Sequence, residues 1–162
     1  MRENQTKEKE VENVEKIIAT NRQARHEYFL LDKYEAGISL LGTEIKSLRQ
    51  GNCNLKGSYI EIVNGEAYIK DMHIAEYKEG NRFNHDTKRE RKLLLHKREI
   101  EKLFQKVKLK GFTIVPTKIY FSQGKAKLEI ALAKGKELHD KRQSIREKDV
   151  KREMDKAIKD RR

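Results

Sequence analysis

Histidines are the first side chains to weigh for chemistry, because an imidazole can move a proton, hold a metal or lie against a nucleobase. His73, His85, His96 and His139 are scattered, and none stands at the H-E-x-x-H or C-x-x-C spacing that brings metal ligands together. Asn84-His85-Asp86 sets a base beside an orienting carboxylate in sequence, but neighbours on a loop rarely converge on one site. The phosphate-cradling G-x-x-x-x-G-K-[ST], the dinucleotide G-x-G-x-x-G and the nucleophile elbow G-x-S-x-G do not occur. No catalytic residue, metal ligand or cofactor is expected. Cys53 is the single cysteine, which excludes an intrachain disulfide and fits a reducing compartment.

The abundant chemistry is cationic. The 162 residues carry 38 Lys/Arg against 26 Asp/Glu, a formal net charge of +12. Residues 1–20 are slightly acidic, with 4 Lys/Arg and 5 Asp/Glu, whereas residues 88–110 hold 10 Lys/Arg against 3 Glu. A charge excess gathered in one stretch is a patch, and a patch implies a polyanionic partner. RNA asks for Lys/Arg to meet phosphates and for flat side chains to meet unpaired bases. Tyr28, Phe29, Tyr34, Tyr59, Tyr68 and Tyr77 supply rings, most of them expected in the core.

These groups need a scaffold. Charged residues make up 40% of the chain and hydrophobic ones 36%, so one compact core with solvated ends is expected. No apolar run approaches the ~18–20 residues of a membrane span, and the reading is of a cytoplasmic, monomeric protein without a membrane partner.

Short apolar runs at His26–Asp32, Ile38–Leu41, Tyr59–Val63, Ala67–Met72, Phe112–Phe121 and Lys125–Ala133 read as strands, a spacing that suggests a barrel or sandwich. Asn64-Gly65 suits a type I′ hairpin turn. Leu128, Ile130 and Leu132 alternate with Lys127, Glu129 and Ala131, one face buried and one wet. Residues 8–19 place Val11, Val14 and Ile18 at helical spacing. Thr43 begins a short helix through Arg49 that Gly51 ends, and a basic helix covers 88–110, with a break near His96 and Gly111 at its end. Three regions follow: an extension over 1–20, a body over 21–133 and a basic tail over 134–162. In the tail Val150, Met154 and Ile158 recur every four residues, which gives a helix only on a partner.

The blocks NRQARHEYFL (21–30), YEAGISLLGTEIKSLRQGN (34–52), NGEAYIKDMHI (64–74), RKLLLHKREI (91–100) and AKGKELHDKR (133–142) resemble, in this order, the small protein B family, the tmRNA-binding (SsrA-binding) proteins of bacterial trans-translation. The resemblance spans about residues 21–160. It implies a mainly β fold, an oligonucleotide-binding-type (OB-fold-like) closed β-barrel with flanking helices, and a C-terminal tail disordered in isolation and helical on the ribosome. The function it implies is to hold the tRNA-like domain of tmRNA and deliver it to stalled 70S ribosomes, with elongation factor Tu met indirectly through alanyl-tmRNA.

Carried over position by position, the family's tmRNA contacts fall on Glu35 in YEAG and on Leu94 and His96 in RKLLLH, with Arg91 and Lys92 nearby for phosphates. Some relatives have Asn where this chain has His96. In GKELHDKR, His139 is implied to stack on a small-subunit rRNA base of the decoding centre, with Asp140, Lys141 and Arg142 around it. Arg146, Lys148, Lys151, Arg152 and Lys156 are implied to line the empty mRNA channel. A generic RNA chaperone or ribosome-assembly factor is the alternative, sharing the charge and the barrel but not requiring GKELHDKR.

Overall fold

The computed structural model describes residues 15–136. In chain order its elements are β1 (Lys16–Thr20), α1 (Arg22–Glu27), β2 (Tyr28–Ile38), α2 (Gly42–Arg49), β3 (Cys53–Asn54), β4 (Tyr59–Val63), β5 (Glu66–Lys70) and β6 (His73–Ile74). A 3₁₀ turn (Lys78–Phe83) follows, then β7 (Arg91–Leu94), α3 (Lys97–Lys110), β8 (Thr113–Ser122) and β9 (Lys125–Gly135). The fold is mainly β. One seven-stranded antiparallel sheet runs in the order β1-β8-β9-β2-β7-β5-β4, and β3 pairs with β6 apart from it.

Alternation decides which face of the sheet is dry. Ala36, Ile38, Ile60, Ala67, Ile69, Leu93, Leu128, Ile130 and Leu132 point inward, and Leu48 of α2 and Leu103 of α3 close over them. On the other side α1 covers a smaller cluster of Ala24, Val115 and Ala133. The dry face of β9 is as expected, with Leu128, Ile130 and Leu132 fully buried, but the face expected to be wet is not wet throughout: Ala131 is fully buried, and Ala133 beyond it packs in the cluster under α1. Asn64 and Gly65 take φ values of 51° and 76°, the double positive that a type I′ turn requires, and pair Val63 with Glu66 across the hairpin. Gly51 and Gly111, at φ 78° and 67°, end α2 and α3 as anticipated.

Several expectations are corrected. The sheet is not closed into a barrel. β8 pairs with β9 along one edge and, over Lys118–Phe121, with β1 along the other, and β4 packs alongside β8 without pairing with it. Lys16–Thr20 is that edge strand rather than the end of a helix, because pairing with β8 outweighs the helical spacing of Val14 and Ile18. The helix expected over 8–19 otherwise falls outside the described residues, as does the tail beyond Lys136.

The strand expected over His26–Asp32 begins only at Tyr28, because Asn21 starts α1 over Arg22–Glu27: its Oδ1 accepts from the Ala24 N–H at 3.2 Å, while its Nδ2 donates to the Pro116 carbonyl at 2.9 Å. β2 then runs through Asp32 and Lys33 without stopping, past an irregular register between Leu30 and Lys33. The basic segment divides at Leu95-His96 into β7 and α3 rather than forming one long helix.

Candidate nucleic-acid interface

β2, β7 and β9 meet at the middle of the sheet, and their outward residues build the site. Gly37 of β2 pairs with Leu94 of β7. A Cβ added to Gly37 would lie 3.1 Å from the Leu94 Cβ, tight enough to push the leucine aside, so glycine leaves it room to rest on the strand beside it. Leu94 is held there with 58% of its surface exposed. It divides two open grooves. One, of about 530 Å³, is lined by Glu35, Glu66, Lys92, Leu94, His96 and Lys127. The other, of about 510 Å³, runs past Leu40, Ile45, Phe121 and Lys125 and shares Gly37, Leu94 and Lys127 with the first.

His96 reaches the rim because it is the N-cap of α3. Its carbonyl accepts from the Glu99 and Ile100 N–H groups at 3.0 and 3.1 Å, and its own N–H donates back to Glu99 Oε1 at 3.2 Å. The backbone is fixed, and the ring is left exposed over the groove.

Glu35 is exposed on β2 and faces Glu129 of β9 in the ladder. Its Oε2 accepts from the Tyr120 hydroxyl at 2.5 Å. Lys92 donates to Glu66 Oε1 at 3.0 Å, and the Tyr68 hydroxyl donates to Glu66 Oε2 at 2.6 Å. The bond from Tyr68, followed by those from Lys92, holds the Glu66 carboxyl below its usual range.

Arg91 is corrected. Expected to serve phosphates, it is fully buried, because in the R-K-L-L alternation Arg91 and Leu93 face inward while Lys92 and Leu94 face out. Its Nε pairs with the buried carboxylate of Glu44, Nη1 donates to the Met72 carbonyl at 2.7 Å and Nη2 to the Thr87 carbonyl at 3.2 Å. Arg89 closes on the same carboxylate at 2.6 Å. Burial pushes the Glu44 carboxyl up, but the hydrogen bonds from Arg89, the Leu41 N–H and Arg91 outweigh it, and the group stays ionised below its ordinary value. Arg91 is a strut between α2 and β7.

Four of the expected RNA contacts, Glu35, Lys92, Leu94 and His96, therefore lie on one groove. Lys127 and Gly37 were missed. Lys127 borders both grooves and has no ion-pair partner among the described residues, whereas Lys70, Lys92, Lys106 and Lys118 are paired with Glu61, Glu66, Asp32 and Glu15. The alternation of β9 already placed Lys127 outward; what sequence could not show is that β9 lies next to β2. α3 adds Lys97 to the groove lining and, beyond it, presents Arg98, Lys102, Lys108 and Lys110 to solvent.

The remaining candidates for chemistry are accounted for locally. His85 is buried between Thr43 Oγ1 and the Ile74 carbonyl, each at 2.9 Å, and Asp86 accepts from the Lys88 N–H at 3.0 Å. Burial pushes the Cys53 thiol up to about 12, so it is not a nucleophile at neutral pH. Among the described residues no three His, Cys, Asp or Glu side chains gather as metal ligands, and no helix is long and apolar enough to cross a membrane. His139, Asp140, Lys141, Arg142, Arg146, Lys148, Lys151, Arg152 and Lys156 lie outside the described residues.

The site thus has the build of a docking surface: an apolar divider, a fixed acid, an exposed imidazole and a lysine without an ion-pair partner among the described residues. Comparison with known proteins makes the assignment specific. A model of the SmpB protein family matches residues 18–160, and the chain belongs to that family. It is 58% identical over 145 residues to the SsrA-binding protein of Sulfurihydrogenibium sp. (strain YO3AOP1), covering 90% of this chain and 95% of the relative. With the SsrA-binding protein of Carboxydothermus hydrogenoformans it shares 55% over 145 residues, covering 90% and 97%. A solved chain from a structure described as "tmRNA-SmpB: a journey to the center of the bacterial ribosome" is similar with a TM-score of 0.63 at 50% identity, over 74% of this chain and 85% of the other.

Proposed function

We propose that this protein binds the tRNA-like domain of tmRNA and brings it to stalled ribosomes in trans-translation, acting in the cytoplasm by recognition rather than catalysis. The observation that carries the reading is the convergence of Glu35, Lys92, Leu94 and His96 on one groove. Relatives named SsrA-binding proteins and the solved tmRNA–SmpB structure support it.

In this reading Leu94 lies against an unpaired base, the His96 ring stacks or hydrogen-bonds beside it, and Glu35 accepts from an RNA donor, since a carboxylate repels phosphate. Phosphate contact passes from the buried Arg91 to Lys127, with Lys92 sharing its charge with Glu66. The sheet works in the manner of an oligonucleotide-binding fold, offering one face to RNA. The tail carries the ribosomal part of the function. His139 stacks in the decoding centre with Asp140, Lys141 and Arg142 around it, and Arg146, Lys148, Lys151, Arg152 and Lys156 follow the vacant mRNA channel as a helix that forms there.

The test is a binding series with the isolated tRNA-like domain. Glu35→Ala, Leu94→Ala and His96→Ala should each weaken binding by about tenfold, about 1.4 kcal/mol, with the fold unchanged by circular dichroism. Unchanged affinity in all three variants would move the interface elsewhere on the protein.

A further inference from the structure

Glu35 poses a physical problem that its own strand does not solve. A glutamate on an open sheet samples many rotamers, and Glu35 stands directly across the ladder from Glu129, a like charge. Both carboxylates are tied down from β8. The Thr117 hydroxyl donates to Glu129 Oε2, and the Tyr120 hydroxyl donates to Glu35 Oε2 at 2.5 Å. The two acids are thereby pinned by separate donors.

Tyr120 is built for this. Its residue is only 2% exposed, the Lys118 ammonium sits 5.1 Å from the ring centre, and Lys118 is itself paired with Glu15 at 3.1 Å. A ring so enclosed has little freedom, and a charge-assisted hydrogen bond from a fixed hydroxyl orients its acceptor. Burial, and then the bond to Glu35, raises the phenol well above its ordinary value, so it remains a donor across physiological pH.

We propose that Tyr120 is a positioning residue for the groove: its hydroxyl holds one oxygen of Glu35 so that the other stands as a fixed acceptor for a hydrogen-bond donor on the RNA. The inference rests on the groove reading above and deepens it. Tyr120 does not touch the RNA. It narrows what Glu35 accepts, because a carboxylate held by one oxygen presents the other over a smaller range of directions, and RNAs without a donor there lose the contact.

The test is a double-mutant cycle on Tyr120→Phe and Glu35→Ala, read as affinity for the tRNA-like domain of tmRNA and for an ordinary tRNA. Tyr120→Phe keeps the ring and removes only the hydroxyl. It should weaken tmRNA binding about tenfold in the native background, lower the preference over tRNA, and change affinity less than about twofold when Glu35 is already alanine. Equal losses in both backgrounds would show that the hydroxyl acts through general stability and overturn the positioning role, leaving the groove intact. If Glu35→Ala alone costs nothing, the inference is overturned, while the groove reading is decided separately by Leu94→Ala and His96→Ala. Glu35→Gln, whose amide oxygen can still accept from Tyr120, serves as the folded control: only its NH2 donor is left to face the RNA, so it should weaken tmRNA binding as Glu35→Ala does and lose sensitivity to Tyr120→Phe, and a full loss retained on Tyr120→Phe would count against the proposal.

Discussion

Leu94 keeps 58% of its surface in water although it is flanked by a core leucine, an arrangement that gains nothing for folding and makes sense as a contact held in reserve. Stability and binding should therefore separate in Leu94→Ala: an unfolding free energy within about 0.5 kcal/mol of native, as for exposed sites generally, beside the loss of tmRNA affinity already stated. Equal losses of stability and affinity would make Leu94 structural. Lys127 should behave as a phosphate ligand, so Lys127→Ala should lower the slope of log affinity against log salt by about one unit, a change visible in a titration at several salt concentrations. An unchanged slope would remove it from the interface. Glu35, Leu94 and His96 were legible in sequence only through the family motifs, since an exposed acid, leucine and histidine carry no signal of their own. Arg91 was misread because its neighbours are basic: charge density says that a patch exists, but the two-residue period of the strand decides which member faces inward.

At the scale of elements, the site depends on how β7 is held. The strand is only Arg91–Leu94, and α2 reaches it through the buried pair of Glu44 with Arg91. Removing Glu44 leaves the buried Arg91 without a counter-ion, so Glu44→Gln should cost about 3–5 kcal/mol of unfolding free energy, measurable by denaturant titration, and Arg91→Met, which leaves Glu44 paired with Arg89, should cost less. A loss below about 1 kcal/mol would contradict the strut. Because the folded carboxyl of Glu44 lies below its ordinary 4.5, its stabilising contribution is present above that pH and is lost as pH falls through the folded value. The acid limb of native stability should accordingly flatten in Glu44→Gln. Gly37 is the matching device on β2: in Gly37→Ala the new Cβ would crowd the Leu94 Cβ at 3.1 Å, displacing the divider and weakening tmRNA binding severalfold with a smaller effect on stability. The hairpin at Asn64-Gly65, the ends of α2 and α3, and the buried Leu128, Ile130 and Leu132 of β9 could be read from sequence because each is fixed by local chemistry, whereas the burial of Ala131 on the opposite face depends on packing that the alternation does not show. The β7–α3 boundary was blurred because Leu93 falls in phase with the helix face of Ile100 and Leu103, and only pairing with β2 and β5 pulls Arg91–Leu94 into the sheet.

At the scale of the molecule, sequence pattern pointed to many short strands but not to their order, and the expected closure failed: β1 and β4 end the sheet, and β4 packs alongside β8 without pairing with it. Long-range pairing of this kind depends on partners far apart in the chain and leaves no local trace. The open sheet still delivers β2, β7 and β9 side by side, which is what the groove requires. Division of labour follows: a chain ending at Lys136 should retain affinity for the tRNA-like domain within about twofold and lose tagging of stalled ribosomes, assayed in a reconstituted translation system, whereas loss of both together would deny the tail a separate role. The most direct test of tmRNA recognition is binding of the full chain to the tRNA-like domain against an ordinary tRNA of similar size across a salt series. A preference of about tenfold or more that persists at high salt and falls in Glu35→Ala and His96→Ala is expected; equal affinities that collapse together with salt would contradict recognition and leave a basic protein that binds RNA by charge alone.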